Sequence, residues 1–209
     1  MEEFSTQEFA PSRHLHWTFF ETIEEDLVEY SRYLEFHKDN FKAFSIKLTR
    51  LYLSICSEID VVLKMICKKL DEPTERSDIN HYRRVILKAY PAFPTVSVLF
   101  KRERWEVKPW LKWKTNQNPQ WWTSYQNVKH ERNVHYSDAN LENVLVSAAG
   151  LLVALVFVYQ KELSRNEIGP DFVIFGFDSN TWLQIQMGTH LEREELWAIA
   201  LPSQPPPQQ

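Results

Sequence analysis

The chain has 209 residues, is 44% hydrophobic, carries a formal charge of -4 and contains only four glycines and two cysteines. That length supports one well-buried core, while so few glycines argue against a loop-rich or β-rich protein and two cysteines exclude a disulfide framework. Cys56 and Cys67 lie eleven residues apart in a helical pattern, roughly 16 Å along a helix and beyond disulfide reach. Both read as core thiols of a reducing, cytoplasmic environment.

Residues 1–16 are expected to form a flexible arm, and the acidic start MEEFSTQEF is not a secretory signal. From Trp17 to Phe36, apolar residues recur at Phe20, Ile23, Leu27, Tyr30 and Leu34, the three-and-four spacing of one helix face. Asp39 or Asn40 can cap a second helix over 41–70, with the stripe Leu48, Leu51, Ile55, Ile59, Val62, Ile66 and Leu70. Pro73 stops it. Ser77 is the expected cap of a short helix through DINHYRRVILKAY, ended by Pro91.

Residues 91–118 have no steady period and hold Pro91, Pro94, Pro109, Trp105, Trp110 and Trp113. They read as a long irregular loop ordered by its aromatics, of a kind that is often functional. Asn118-Pro119 is a strong helix start, an Asn cap with proline at the first position, and the helix is expected to continue through QWWTSYQNVKHER. Ser137-Asp138 signals the next start. The run 144–159, VLVSAAGLLVALVFVY, then has sixteen residues and no charge. A bilayer span needs about 20 residues, so a central helix surrounded by other helices is the preferred reading. Gly169-Pro170 closes the helical part. FVIFGF and TWLQIQM, separated by DSN, predict a β-hairpin in an appendage over 169–200, and the Pro/Gln-rich tail 201–209 predicts disorder. The fold expected is all-α, a bundle of four to five helices over 17–168 with a small C-terminal β-hairpin.

Charge is uneven. Residues 1–36 hold nine acids and two bases, and residues 101–132 hold eight Lys/Arg and three acids. The basic segment is either a phosphate footprint or the internal ion-pair partner of the acidic one. Overlapping its end lies YQNVKHERNVHY, 125–136. On a helix, Trp121, Tyr125, Val128 and Arg132 share one face, and Asn127, His130 and Glu131 another. Arg132 is thereby expected at the end of a buried stripe, where a lone guanidinium needs a carboxylate or a ligand phosphate. His130 and His135 are candidates for proton transfer, since an imidazole titrates near neutrality. Metal-free RNA cleavage needs such groups: a base for the 2′-hydroxyl, an acid for the leaving oxygen and a cation for the phosphorane. No Cys pair with ligand spacing, HExxH, GxGxxG or P-loop occurs, so no metal or cofactor is expected. The Trp cluster at 105–122 reads as packing, with base stacking as the alternative.

The stretches CSEIDVVLKMICKKL and WWTSYQNVKHERNVHYSDANLENVLVSAAGLLVALVFVY resemble HEPN-like all-helical proteins over about 41–163. They are most similar to a bacterial branch that carries a Tyr, Asn, Lys-His and Arg helix, here Tyr125, Asn127, Lys129, His130 and Arg132. In that branch an apolar helix follows, opened by Ala-Asn-Leu-x-Asn. The resemblance implies a metal-independent ribonuclease of toxin–antitoxin or phage-defence systems, or a non-catalytic protein that binds RNA, nucleotides, a nucleotidyltransferase or an antitoxin. It also implies a homodimer. The family's catalytic signature is Arg, a polar residue, then His four to six positions after the Arg. Arg132-Asn133 matches its start, whereas His135 follows after only two intervening residues.

The leading expectation is therefore an RNA- or nucleotide-interacting HEPN-like protein, possessing ribonuclease activity if Arg132, His130 and His135 are catalytic. Asn127, Lys129, Asn133 and Tyr125 would bind substrate. The alternatives are a non-catalytic interaction or dimerisation module and a membrane-associated helical protein using 144–159. A homodimer would help cover the exceptionally apolar helix.

Overall fold

The computed structural model describes residues 14–70, 73, 78–169, 171–179 and 181–182. Ser77, most of the N-terminal arm, Pro170, the residues of TWLQIQM beyond Trp182 and the Pro/Gln-rich tail lie outside the described residues, and the cap expected of Ser77 is Asp78, whose side chain accepts the Asn80 and His81 amides. The protein is mostly helical: α1 (Leu15–Tyr30), α2 (Ile46–Lys69), α3 (Ile79–Ala89), α4 (Gln120–His130), α5 (Arg132–His135), α6 (Leu141–Val158) and α7 (Gln160–Ser164). Three short strands, β1 (Val98–Phe100), β2 (Trp105–Val107) and β3 (Phe175–Gly176), form one antiparallel sheet in the order β2-β1-β3.

The core is built around α6, packed most extensively against α2. The stripe of α2 from Leu48 to Ile66 is buried as its spacing requires. This helix begins at Ser45 rather than at Asp39 or Asn40: the Ser45 hydroxyl accepts the Leu48 amide at 3.1 Å, while Lys38–Asn40 form a separate 3-10 turn. Among the described residues, α6 is the one helix long and apolar enough to cross a membrane, and 83% of it is buried inside the protein. Gly150 on α6 lets two tryptophans approach: a Cβ there would stand 3.2 Å from Trp121 Cζ2, and the Trp110 indole donates to the Gly150 carbonyl at 3.0 Å. Cys56 and Cys67 are buried free thiols, and burial raises the Cys56 thiol well above its ordinary value.

The segment 91–118 is not a long irregular loop. It holds the β1–β2 hairpin and two 3-10 turns, at Phe93–Thr95 and Leu111–Thr115. Strands of three residues are too short to leave a period, and their register is held by the Phe100 and Trp105 rings, stacked 3.8 Å apart. Trp110, Trp113 and Trp121 are buried in the core, which leaves them as packing units rather than stacking platforms.

Among the described residues, the first half of the expected C-terminal hairpin makes a long-range pairing instead. β3 pairs with β1, with Phe100 opposite Phe175, and the Lys101 amide donates to the Ile174 carbonyl at 2.9 Å. Two causes are visible. Phe172 and Phe175 pack against Trp17 and Phe20 of α1 at 5.0 to 5.6 Å. The Glu24 carboxylate, 6% exposed, accepts three successive amides, those of Val173 (3.1 Å), Ile174 (2.7 Å) and Phe175 (3.2 Å). Asp178, expected in a hairpin turn, instead accepts the Thr181 amide at 3.0 Å, and Thr181 and Trp182 are helical.

Candidate nucleic-acid interface

α4 presents one side to the core and the other to solvent. Trp121, Trp122, Ser124, Tyr125 and Val128 are its buried residues. The Tyr125 ring meets Tyr52 at 6.2 Å and Trp122 at 5.3 Å, and burial pushes its phenol up to about 12. Tyr125 is therefore a neutral packing residue, with the Lys129 ammonium 5.6 Å from its ring centroid.

The expected continuation of this helix to Arg132 is broken at Glu131, whose backbone sits at φ -132°, ψ 49°. The Glu131 carbonyl accepts the amides of Val134 and His135, both at 3.0 Å, and so opens the single-turn α5. The break swings Arg132 off the Trp121/Tyr125/Val128 stripe. Arg132 is exposed rather than buried, which corrects its expected place.

Lys129, His130, Arg132 and Asn133 are all exposed, and no hydrogen bond or ion pair of their side chains occurs among the described residues. His135 differs: its Nδ1 lies 3.2 Å from the Asp138 carboxylate. The chain just beyond the shoulder is tied to residues 41–44. Leu141 and Glu142 donate their amides to the Ala43 and Phe41 carbonyls at 2.9 and 3.1 Å, Tyr136 packs edge-on against Phe44, and Lys42 pairs with Glu142 at 2.9 Å. The cap of α6 is Asn140, whose Oδ1 accepts the Asn143 amide at 3.1 Å, rather than Ser137 or Asp138.

Two clefts flank α4. One, of about 340 Å³, is lined by Asn118, Thr123, Gln126 and Asn127 with the carboxylates of Asp60 and Asp78. The other, of about 360 Å³, includes Asp138, the partner of His135. His130 falls on the α4 face of Thr123, Gln126 and Asn127, one turn on. The two histidines thus belong to different sides of the helix. None of His130, His135 and Arg132 lines either cleft.

The buried-arginine reasoning applies instead to Arg83. It sits on the buried stripe Ile79, Tyr82, Arg83, Ile86 of α3 and is 7% exposed. Its Nη1 donates to Asn118 Oδ1 at 2.8 Å, and its Nε is buried without a partner. Asn118 is accordingly not the side-chain cap of α4. Its amide faces α3, and Pro119 occupies the cap position. The 79/82/83/86 spacing in the sequence carried this signal for Arg83. The acidic N-terminal segment also finds a basic partner: Arg102 pairs with Glu35 at 3.0 Å.

Among the described residues no group of three or more His, Cys, Asp or Glu is placed to hold a metal ion. Comparison with known proteins finds no family model, no curated protein and no solved structure that matches the chain.

Proposed function

We propose that the protein interacts with RNA or nucleotides through the shoulder formed by the end of α4 and α5, in the manner of a HEPN-like protein. The observation that carries this reading is the exposure of Lys129, His130, Arg132 and Asn133, whose side chains make no hydrogen bond or ion pair among the described residues. Two cations and two hydrogen-bonding groups on one ledge suit a phosphate, and in an acidic protein they are a local inversion of charge. Arg132 and Lys129 hold phosphate in this reading. His130 or the Asp138-paired His135 moves protons, and Asn127, Asn133 and Tyr125 position the substrate or the groups that touch it. If RNA is cut, attack comes from its own 2′-hydroxyl, which gives a 2′,3′-cyclic phosphate, spares DNA and is indifferent to EDTA. A cytoplasmic role in defence or stress, with a nucleotidyltransferase or antitoxin partner, follows from the same resemblance.

Binding of a short fluorescent RNA, followed by anisotropy, tests the reading. Arg132→Ala and Lys129→Ala should each weaken binding and flatten its salt dependence by about one phosphate contact. RNA affinity unchanged in both variants would overturn it. A second reading, an interaction module that pairs with itself, is favoured by Val134 (66% exposed) on the ledge and by the exposed Phe44, which packs against Tyr136 beside it. Light scattering at micromolar concentration separates a homodimer from the 24.9 kDa monomer.

A further inference from the structure

We infer that the cleft between α2, α3 and α4 is a nucleobase site that reads a guanine-type edge, while phosphate stays outside on the shoulder. The inference rests on the RNA reading and names what that surface recognises. At about 340 Å³ the cleft is at the small end of ligand pockets, which run roughly 300 to 1,000 Å³.

Its chemistry is neutral donors and acceptors around two acids. The half-buried side chains of Gln126 and Asn127 make no hydrogen bond among the described residues. An amide offers both a carbonyl acceptor and two N–H donors, and half-buried amides facing a cleft are available to a ligand. Asp60 accepts the Tyr82 hydroxyl at 3.1 Å and the Lys64 ammonium at 2.5 Å. Asp78 accepts the Asn80 and His81 amides at 3.0 and 2.9 Å and the Asn80 side chain at 3.3 Å. Two carboxylate oxygens offer about four lone-pair sites, so each acid keeps accepting capacity. A phosphate entering here would meet two carboxylates. The imino and amino donors of guanine would instead meet acceptors, with the amides left for its O6 and N7. Trp122 and Ile79 supply the apolar wall.

Arg83 is an independent sign that the wall is built for a ligand. A guanidinium only donates, so the Arg83 bond fixes which way the Asn118 amide points. Asn118 Nδ2 then reaches Asn80 Oδ1 at 3.4 Å along the rim. A cation 7% exposed, with one neutral acceptor and an unpartnered buried Nε among the described residues, sits at a cost in the α3 stripe. Arg83 acts as a positioning residue for Asn118. A base seated in the cleft would send its sugar-phosphate along the α4 face over His130, toward Lys129 and Arg132.

The test is calorimetric titration of the full chain with guanosine, cytidine, inorganic phosphate and a short G-containing RNA. Guanosine should bind about tenfold more tightly than cytidine, and inorganic phosphate should not compete with it. Gln126→Ala and Asn127→Ala should each weaken guanosine about fivefold without moving Tm. Guanosine bound in this way while RNA is not bound would support the cleft and remove the RNA reading. RNA bound while no nucleoside binds, equal affinity for guanosine and cytidine, or guanosine affinity indifferent to both variants would overturn the cleft site and leave the shoulder in place.

Discussion

The seam that joins residues 172–175 to α1 and the shoulder at the end of α4 both gather polar groups, and they use them in opposite ways. At the seam, one buried carboxylate, Glu24, takes three consecutive backbone amides. Every bond is internal, and the cluster closes the sheet onto the helices. At the shoulder, Lys129, His130, Arg132 and Asn133 stand in water with their side chains unpaired among the described residues. Polar groups that satisfy one another hold a fold together, because unmaking them strands buried donors. Polar groups left unpaired on a ledge contribute little to folding and remain open to a partner. Arg83 lies between these cases, buried like Glu24 but with a single acceptor among the described residues.

The sharpest way to break this contrast is at the seam. Glu24→Ala should cost on the order of 3 kcal/mol in urea unfolding, since up to three backbone amides lose a charged acceptor at once. Glu24→Gln should lose less, because it keeps one carbonyl acceptor. A loss below about 1 kcal/mol in Glu24→Ala would mean that water replaces the carboxylate and the seam is no different from a surface.

Arg83 comes next. Arg83→Ala should cost about 2 kcal/mol, by emptying space beside Asn118 and leaving its carbonyl unpaired. Arg83→Met should cost clearly less, because a side chain of similar reach fills the stripe without a buried cation. Equal Tm losses in the two variants would show that the charge itself is needed for folding.

The cap of α3 is a smaller test. Asp78→Ala should cost about 1 kcal/mol near neutral pH, the usual worth of a side-chain N-cap. The backbone amide of His81, with the Asn80 side chain and amide, holds the Asp78 carboxyl below its ordinary value of 3.8. The lowered carboxyl stabilises the fold above that value, and the stabilisation fades as pH falls through the folded value. Thermal unfolding of the native protein and Asp78→Ala should therefore converge in acid, and a difference that persists at the lowest pH would assign the cap to packing.

The smallest stability effects belong to the shoulder. Lys129→Ala and Arg132→Ala should each change stability by no more than about 0.5 kcal/mol. A larger loss from Arg132→Ala would place that arginine in the architecture with Arg83.

What the sequence determined by itself is the mostly helical class and the buried faces of the long helices, not their number, which is seven among the described residues rather than four to five. The stripe of α2, the uncharged run of α6 and the proline after α3 act through hydrogen bonds four residues apart and through a 3.6-residue period, both local in the chain. The candidate residues were legible as a cluster of types for the same reason. Their placement was not. One residue, Glu131, leaves helical geometry and carries Arg132 off the stripe to which its spacing assigned it, while the unbroken α3 keeps Arg83 on its own. β3 finds β1 across more than seventy residues because Glu24 and the rings of Trp17 and Phe20 hold it there. The amides of α4 form a cleft only because Asp60 and Asp78 come from two other helical segments. Strand pairing and cleft walls depend on contacts between segments distant in the chain, which local periodicity does not encode, so tertiary packing alone decided them.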